Sequence, residues 1–223
     1  MMGCFNLKSP LNFKTIVLIL NFAFNLKYYQ KMKRLIFNLL LLFSVASLSS
    51  CGYNTMVEKQ ENVEQHWAQV ENVYQRRLDL IPNLVNTVKG AADFEKSTLT
   101  QVIEARAKAT SVNVDASKLS PDQIANFQKT QDQLSSALSR LLVSVEQYPQ
   151  LRANQNFLEL QAQLEGTENR ISVERRNFNE AVMDYNAYIR KFPQNMIAGM
   201  FDFEKKGYFQ ATAGAEKAPE VKF

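Results

Sequence analysis

Residues 157–192 read FLELQAQLEGTENRISVERRNFNEAVMDYNAYIRKF, with an apolar or aromatic side chain at every seventh position. These positions are Phe157, Leu164, Ile171, Phe178, Tyr185 and Phe192. Such a repeat predicts a long helix that supercoils against partner helices, because its spacing keeps one seam facing inward. Thr167 and Glu174 interrupt a second row of apolar residues, which favours a bundle over a two-stranded coiled coil. We predict this helix over residues 153–192.

Two further helices are predicted nearer the N-terminus. The first begins at a cap formed by Asn54 or Thr55 and ends at Gly90. Its apolar residues recur at steps of three, four and seven, which places them on one face. They are Met56, Val63, Trp67, Val70, Tyr74, Leu78, Ile81, Leu84, Val85 and Val88. The second helix is predicted to begin at a cap on Asp93 and to continue to Ala109.

The clearest helix start in the sequence follows a polar loop. Ser120 is the predicted cap, Pro121 takes the first helical position, and Gln123 stands where a capping box places a glutamine. Pro149 is expected to end this helix.

Together these segments predict an all-α fold. Short connections favour antiparallel neighbours, so we expect an elongated antiparallel up-and-down four-helix bundle with coiled-coil-like packing over residues 51–194. Residues 195–223 form an aromatic, glycine-containing C-terminal segment. Because a solvated linker would contain fewer aromatic residues, we expect this segment to pack back on the bundle or on a partner.

A secretory leader precedes the helical body. A basic start at residues 32–34 leads into 14 largely apolar residues, 35–48, and then into small residues, the layout of a signal peptide. Residues 48–51 read LSSC and match the lipobox of bacterial lipoproteins. We therefore predict a lipoprotein signal peptide over residues 32–50 and lipidation of the Cys51 thiol, with the lipid anchoring the protein to a membrane. The alternative is an unmodified Cys51 after an uncleaved signal anchor.

Residues 1–31 do not fit that layout, because a second apolar run lies ahead of the signal. We expect translation to begin at Met32 and the upstream segment to reflect a misassigned start. The alternative is a hydrophobic hairpin that crosses the membrane twice.

Charge and composition exclude several classes of function. Six of the 26 basic residues and none of the 22 acidic residues lie in the first fifty positions, so the body carries 20 basic against 22 acidic residues. A body with this balance has no electrostatic surface for nucleic acid. One histidine, His66, and one body cysteine cannot form a zinc site, which needs about four ligands. We predict no metal site, no cofactor and no catalytic residues.

Acidic residues on the fourth helix are candidates for a di-metal carboxylate site. That chemistry uses Glu-x-x-His pairs that point into the bundle, and none is present. We interpret the residues as a solvated acidic face matched by neighbouring basic residues. They are Glu165, Glu168, Glu174 and Glu180.

One polar group on the first helix is a candidate notch for binding a partner. It consists of Arg76, Arg77, Asp79, Pro82 and Asn83. The alternative is a tolerated helix kink with local compensation. Pro82 leaves the carbonyl of Leu78 without its usual donor, Asn83 or a water could satisfy that carbonyl, and Arg76 could pair with Asp79.

Several strings resemble the LemA family of bacterial envelope proteins. They are RRLDLIPNLV at 76–85, EAR at 104–106, EQYP at 146–149, LEGTENRI at 164–171 and APEVKF at 218–223. The resemblance implies a helical bundle held at a membrane by its N-terminus and facing the extracytoplasmic side. It also implies no established enzymatic activity and no catalytic residues to carry over. Members of the family commonly carry a membrane-anchoring helix at the N-terminus, whereas this sequence has a lipobox there.

These observations predict a function without catalysis. We expect a lipid-anchored envelope protein that acts as a docking or scaffold bundle, with an envelope protein as partner or with itself, and without nucleic acid. The alternative is a single-pass membrane protein with an unrecognised enzymatic or metal-carrying activity.

Overall fold

The structure is a computed structural model that describes residues 13–90 and 95–211; the side chains of residues 13–30, 34 and 40–51 are not described. Every regular element in those ranges is a helix, which confirms the all-α class. The elements are α1 (Phe13–Lys89), α2 (Lys96–Ser111), α3 (Pro121–Val145), α4 (Pro149–Arg152), α5 (Gln155–Ile189) and α6 (Gln194–Met200). The chain divides into two compact units, Met1–Cys51 and Gly52–Phe223.

The predicted start of the first helix is wrong. Asn54 and Thr55 lie inside α1, which begins at Phe13 and ends at Lys89, beside the predicted stop Gly90. Asn and Thr favour helix caps only where a helix has reason to begin. Here no proline lies between Met32 and Ile81, and extending a helix that has already formed is easier than starting a new one.

The start of α3 confirms its prediction in detail. The backbone N–H of Gln123 donates to Ser120 Oγ at 3.4 Å, and the backbone N–H of Ser120 donates to Gln123 Oε1 at 3.3 Å. The end differs, because α3 stops at Val145 and Pro149 begins α4 instead of ending α3. A proline is well suited to a first helical position, where no backbone donor is needed.

Two other helix limits also differ from the predictions. The predicted cap Asp93 lies outside the described residues, and α2 begins at Lys96. The fourth helix is α5, which is capped by Asn154 and ends at Ile189. Phe192 therefore falls outside the helix and is 80% exposed, so its predicted place in the seam is wrong.

The other five seam positions, from Phe157 to Tyr185, are all buried, as the seven-residue repeat predicts. Two ion pairs define how α5 runs against α1. Lys59 Nζ is 2.5 Å from Asp184 Oδ2, and Arg77 Nη1 is 2.9 Å from Glu168 Oε2. As the chain advances along α1 it retreats along α5, so these two helices are antiparallel.

The unit Gly52–Phe223 has two hydrophobic clusters. The aromatic core takes its rings from α1, α3, α5 and the C-terminal segment: Trp67, Tyr74, Phe127, Phe178, Tyr185 and Phe209. The aliphatic core is built from α1 to α5, and most of its members are leucine, isoleucine, valine and alanine. α2 contributes only to the aliphatic core. Beside the aromatic core its place is taken by the loop after α2, through Val114 and Leu119, and by Phe209.

Candidate functional site

Arg77, one of the five predicted notch residues, is part of the interior. Its side chain is 2% exposed. Nη1 donates to Ser135 Oγ at 2.8 Å and to Glu168 Oε2 at 2.9 Å, and Nη2 donates to Gln131 Oε1 at 2.5 Å. The guanidinium also lies 5.0 Å from the ring centroid of Tyr74. Arg77 therefore joins α1, α3 and α5 by charge-assisted hydrogen bonds, at the border between the two cores.

The other four notch residues lie on the surface of α1. Asp79 Oδ1 accepts from Gln75 Nε2 at 2.8 Å, and the ion pairs among the described side chains do not include Arg76 with Asp79. The structure thus brings Arg76, Asp79, Pro82 and Asn83 to one exposed stretch and separates Arg77 from them.

The carbonyl that Pro82 frees has a partner that the sequence analysis missed. Arg106 Nε, from α2, donates to the carbonyl of Leu78 at 3.0 Å. The sequence predicted Asn83 or a water in that place, and the backbone carbonyl of Asn83 accepts from Thr87 Oγ1 at 2.9 Å. The helix interruption is therefore compensated by a neighbouring helix.

The remaining sequence candidates are dispersed. His66 is half-buried, and its Nδ1 has no hydrogen-bond partner among the described residues. Glu168 pairs with Arg77, Glu165 accepts from Gln161 at 3.0 Å, and Glu174 accepts from Asn177 at 3.2 Å. Glu180 is exposed. Of the side chains that the structure describes, no group of three or more His, Cys, Asp and Glu could hold a metal ion. The backbone of Cys51 lies in α1, and its side chain is not described.

A second set of polar residues holds the C-terminal segment, and the sequence analysis did not identify it. Three side-chain amides each pair with both the N–H and the C=O of one backbone residue, at 2.8 to 3.0 Å. The pairs are Asn186 with Lys206, Asn179 with Phe209, and Gln128 with Gln210. We call these the amide clips. Asn179 and Asn186 stand seven positions apart on α5, each directly after a residue of the apolar seam, and this spacing could have identified two of the three clips.

Two titratable groups lie where the C-terminal segment crosses the bundle. Lys206 is buried, donates from Nζ to the carbonyl of Ser117 and lies 5.9 Å from the ring centroid of Tyr185. Burial lowers the pKa of Lys206 from its ordinary value, since it disfavours the charged form. Burial also raises the pKa of Tyr185 to about 12, and its hydroxyl donates to the carbonyl of Glu204 at 3.0 Å.

Taken together, the described residues form an all-helical body in which Arg77, Gln131 and the amide clips make hydrogen bonds between separate segments of the chain. Within the described residues, no helix has a stretch that is both long and apolar enough to cross a membrane. The chain belongs to the LemA family, whose sequence model matches residues 66–223.

Relatives agree with that assignment. Protein LemA of Metamycoplasma hominis is 25% identical over 159 residues, which cover 71% of this chain and 69% of that protein. Magnetosome protein MamQ 2 of Paramagnetospirillum magneticum is 28% identical over 179 residues, with 71% of this chain and 64% of that protein covered. Magnetosome protein MamQ of Magnetospirillum gryphiswaldense is 27% identical over 198 residues, with 77% and 71% covered.

Proposed function

We propose that this LemA-family chain is a lipoprotein of the cell envelope, anchored through Cys51 and facing the extracytoplasmic side. The observation that carries the proposal is the coincidence of two boundaries. The lipobox ends at Cys51, and the second compact unit begins at Gly52. Cleavage before Cys51 would therefore remove the signal and leave that unit whole. Several acyl chains on one cysteine hold a protein durably on a bilayer.

We further propose that residues 51–194 form an up-and-down four-helix bundle that serves as a non-enzymatic docking platform or scaffold. The antiparallel course of α1 and α5 and the participation of four longer helices in the aliphatic core support this arrangement. Arg77, Gln131 and the amide clips are engaged in holding the body together. The exposed residues Arg76, Asp79 and Asn83 remain available to an envelope protein or a second copy.

Lipidation is tested by expressing the full chain in bacteria with a clickable fatty acid. Wild type is expected to incorporate the label and to give an intact mass that begins at Cys51. Cys51→Ser should abolish both, whereas Cys4→Ser is the matched control and should change neither. A product that retains residues 32–50, or equal labelling of Cys51→Ser, contradicts the anchor.

Docking is tested by affinity capture from detergent-solubilised membranes, with thermal unfolding measured in parallel. Asp79→Ala is expected to reduce capture of the partner, or self-association, without changing the unfolding midpoint. Glu71→Ala is the matched control, because Glu71 is an exposed acid on the same helix. Equal loss of capture and stability in Asp79→Ala would mean that this position supports only the helix.

A further inference from the structure

The segment around α6 exposes an unusual amount of apolar surface. Four large side chains within ten residues are more than half exposed: Phe192 at 80%, Met196 at 63%, Met200 at 78% and Phe201 at 56%. We call these four residues the terminal apolar patch. Single exposed apolar residues are ordinary, but several within one short segment indicate a surface that meets another apolar phase.

α6 is already held to the bundle by a different face. Ala198 is buried in the aromatic core and Ile197 packs against that core. Met196 and Met200 are four residues apart and share another side of this short helix. Since the attachment of α6 to the core leaves these methionines uncovered, their exposure is not explained by the folding of this unit.

The patch lies where the compact unit begins. A Cβ on Gly52 would be 3.2 Å from Ile197 Cδ1 of α6. The ring of Tyr53 is 5.0 Å from that of Phe201 and packs edge-on against it. Cys51 is joined to Gly52 by one peptide bond, and one residue spans at most about 3.6 Å. A lipid on Cys51 would therefore attach next to the backbone that α6 contacts.

Charges around the patch suit a bilayer surface. Arg190 and Lys191 immediately precede Phe192, and both are exposed. Lys205 is also exposed, as are the acidic Asp202 and Glu204, so the local balance is three basic against two acidic groups. Basic side chains beside apolar ones are the composition with which proteins rest in the headgroup region of anionic membranes.

We propose that the terminal apolar patch inserts into the outer part of the bilayer that carries the anchor, and so fixes the orientation of the bundle. This inference rests on the proposed lipidation of Cys51. The acyl chains hold the protein on the membrane, and the patch gives it a second contact that prevents free rotation about the anchor. The occupant is the lipid surface itself, because the anchor brings that surface to the patch.

The test uses the full chain, acylated in bacteria, with Cys4→Ser as background and one added thiol. Met200→Cys reports on the patch. Val143→Cys is the matched control, because Val143 is a 64% exposed apolar residue on α3, in the half of the unit that contains the aliphatic core. Each thiol is labelled with an environment-sensitive fluorophore. The proteins are reconstituted into phosphatidylethanolamine–phosphatidylglycerol vesicles with or without lipids that carry a shallow nitroxide quencher.

The label at position 200 is expected to shift to shorter wavelength and to be quenched roughly twofold more than the label at 143, as a depth of about 5–10 Å requires. Equal quenching at both positions in protein that floats with the vesicles overturns the inference and leaves the lipid anchor standing. Protein that lacks the lipid mass and does not float overturns the proposed anchor, and the inference with it.

A photocrosslinker on the same thiol in native membranes separates lipid from protein occupants. Adducts at position 200 are expected to be lipids. A discrete adduct with a second copy, or with another protein, would overturn the inference.

Discussion

The two cores of this protein are closed in different ways. Around the aliphatic core, α2 packs as a helix against α3 and contributes Leu99, Val102 and Ala109. Around the aromatic core, an irregular loop and the extended residues 203–211 fill the same role, and Phe209 completes the ring cluster. The comparison shows that a helical surface can be covered by extended backbone, provided that its polar groups find partners. The amide clips supply those partners.

The largest expected effect comes from removing the ring of Phe209, because this ring covers the aromatic core where α2 covers the aliphatic core. Phe209→Ala should lower the free energy of unfolding by about 3–5 kcal/mol, the range for truncating a buried phenylalanine. Its ring stacks at 6.1 Å on Trp67 and lies 5.4 Å from Phe178. Urea unfolding followed by Trp67 fluorescence measures the loss, since Trp67 is the chain's only tryptophan.

Tyr208→Ala is the control for that experiment, because Tyr208 is 43% exposed and should cost less than about 0.5 kcal/mol. If the two variants were equally stable, the C-terminal segment would not be part of the aromatic core in solution, and the distinction between the cores would fail.

The second effect concerns Arg77, which lies between the cores and should therefore affect both. Arg77→Ala removes its bonds to Ser135 and Glu168 and leaves the buried Gln131 amide without its partner. We expect a loss of about 2–4 kcal/mol, because an unpaired buried polar group adds its desolvation cost. Fluorescence and far-UV circular dichroism should report the same lowered midpoint. Arg76→Ala, on the surface, should be nearly neutral, and a comparable loss there would contradict the assigned roles.

A third prediction tests how closely the extended segment approaches α3. Gly207 donates to the carbonyl of Leu119 at 2.8 Å, and a Cβ at Gly207 would lie 2.7 Å from Pro121 Cα. Gly207→Ala must push the segment off the helix start, at a cost of about 1–3 kcal/mol. Gly199→Ala is the control, because its Cβ would meet nothing within 4 Å in α6. It should be neutral or slightly stabilising, and equal effects of the two changes would refute the close approach.

The sequence predicted the helical half of this architecture better than the extended half. The seven-residue repeat identified Phe157, Leu164, Ile171, Phe178 and Tyr185 correctly because helical packing is periodic. The capping box at Ser120 was found because it depends on neighbours in sequence. The start of α1 was missed at Asn54, since a local capping signal gives way where the surrounding residues continue a helix.

The polar contacts depend on distance in space, which periodicity does not encode. Gln131 stands seven positions from Ile124 and from Leu138, in an otherwise apolar row of α3, and its buried side chain accepts from Arg77. Two kinds of contact join residues that are 20 to 82 positions apart: the hydrogen bond from Arg106 to the Leu78 carbonyl, and the amide clips. Such pairs become predictable only once the helices have been placed beside one another.

The smallest effect at neutral pH is expected for Tyr185, which also gives the protein a pH-dependent stability at high pH. Tyr185 has its pKa raised to about 12 in the folded protein, against 10.0 for an unperturbed tyrosine. Between these values the unfolded chain loses the phenolic proton first, so stability must fall as pH rises from about 10 to 12. Tyr185→Phe should remove this part of the alkaline loss. At neutral pH the same change costs about 1 kcal/mol for the hydrogen bond to the Glu204 carbonyl.

The titration of Lys206 changes the stability in the opposite direction at lower pH. It therefore sets the pH range in which the contribution of Tyr185 to stability must be measured. Its pKa is lowered by burial, so between that value and 10.5 the unfolded chain binds more protons and stability rises with pH. Urea midpoints of wild type and Tyr185→Phe should therefore be compared above pH 10, where the tyrosine contribution begins. Parallel curves of midpoint against pH for the two proteins would show that the phenol is solvated. The C-terminal segment would then fail to exclude water from the aromatic core, whereas helices exclude water from the aliphatic core.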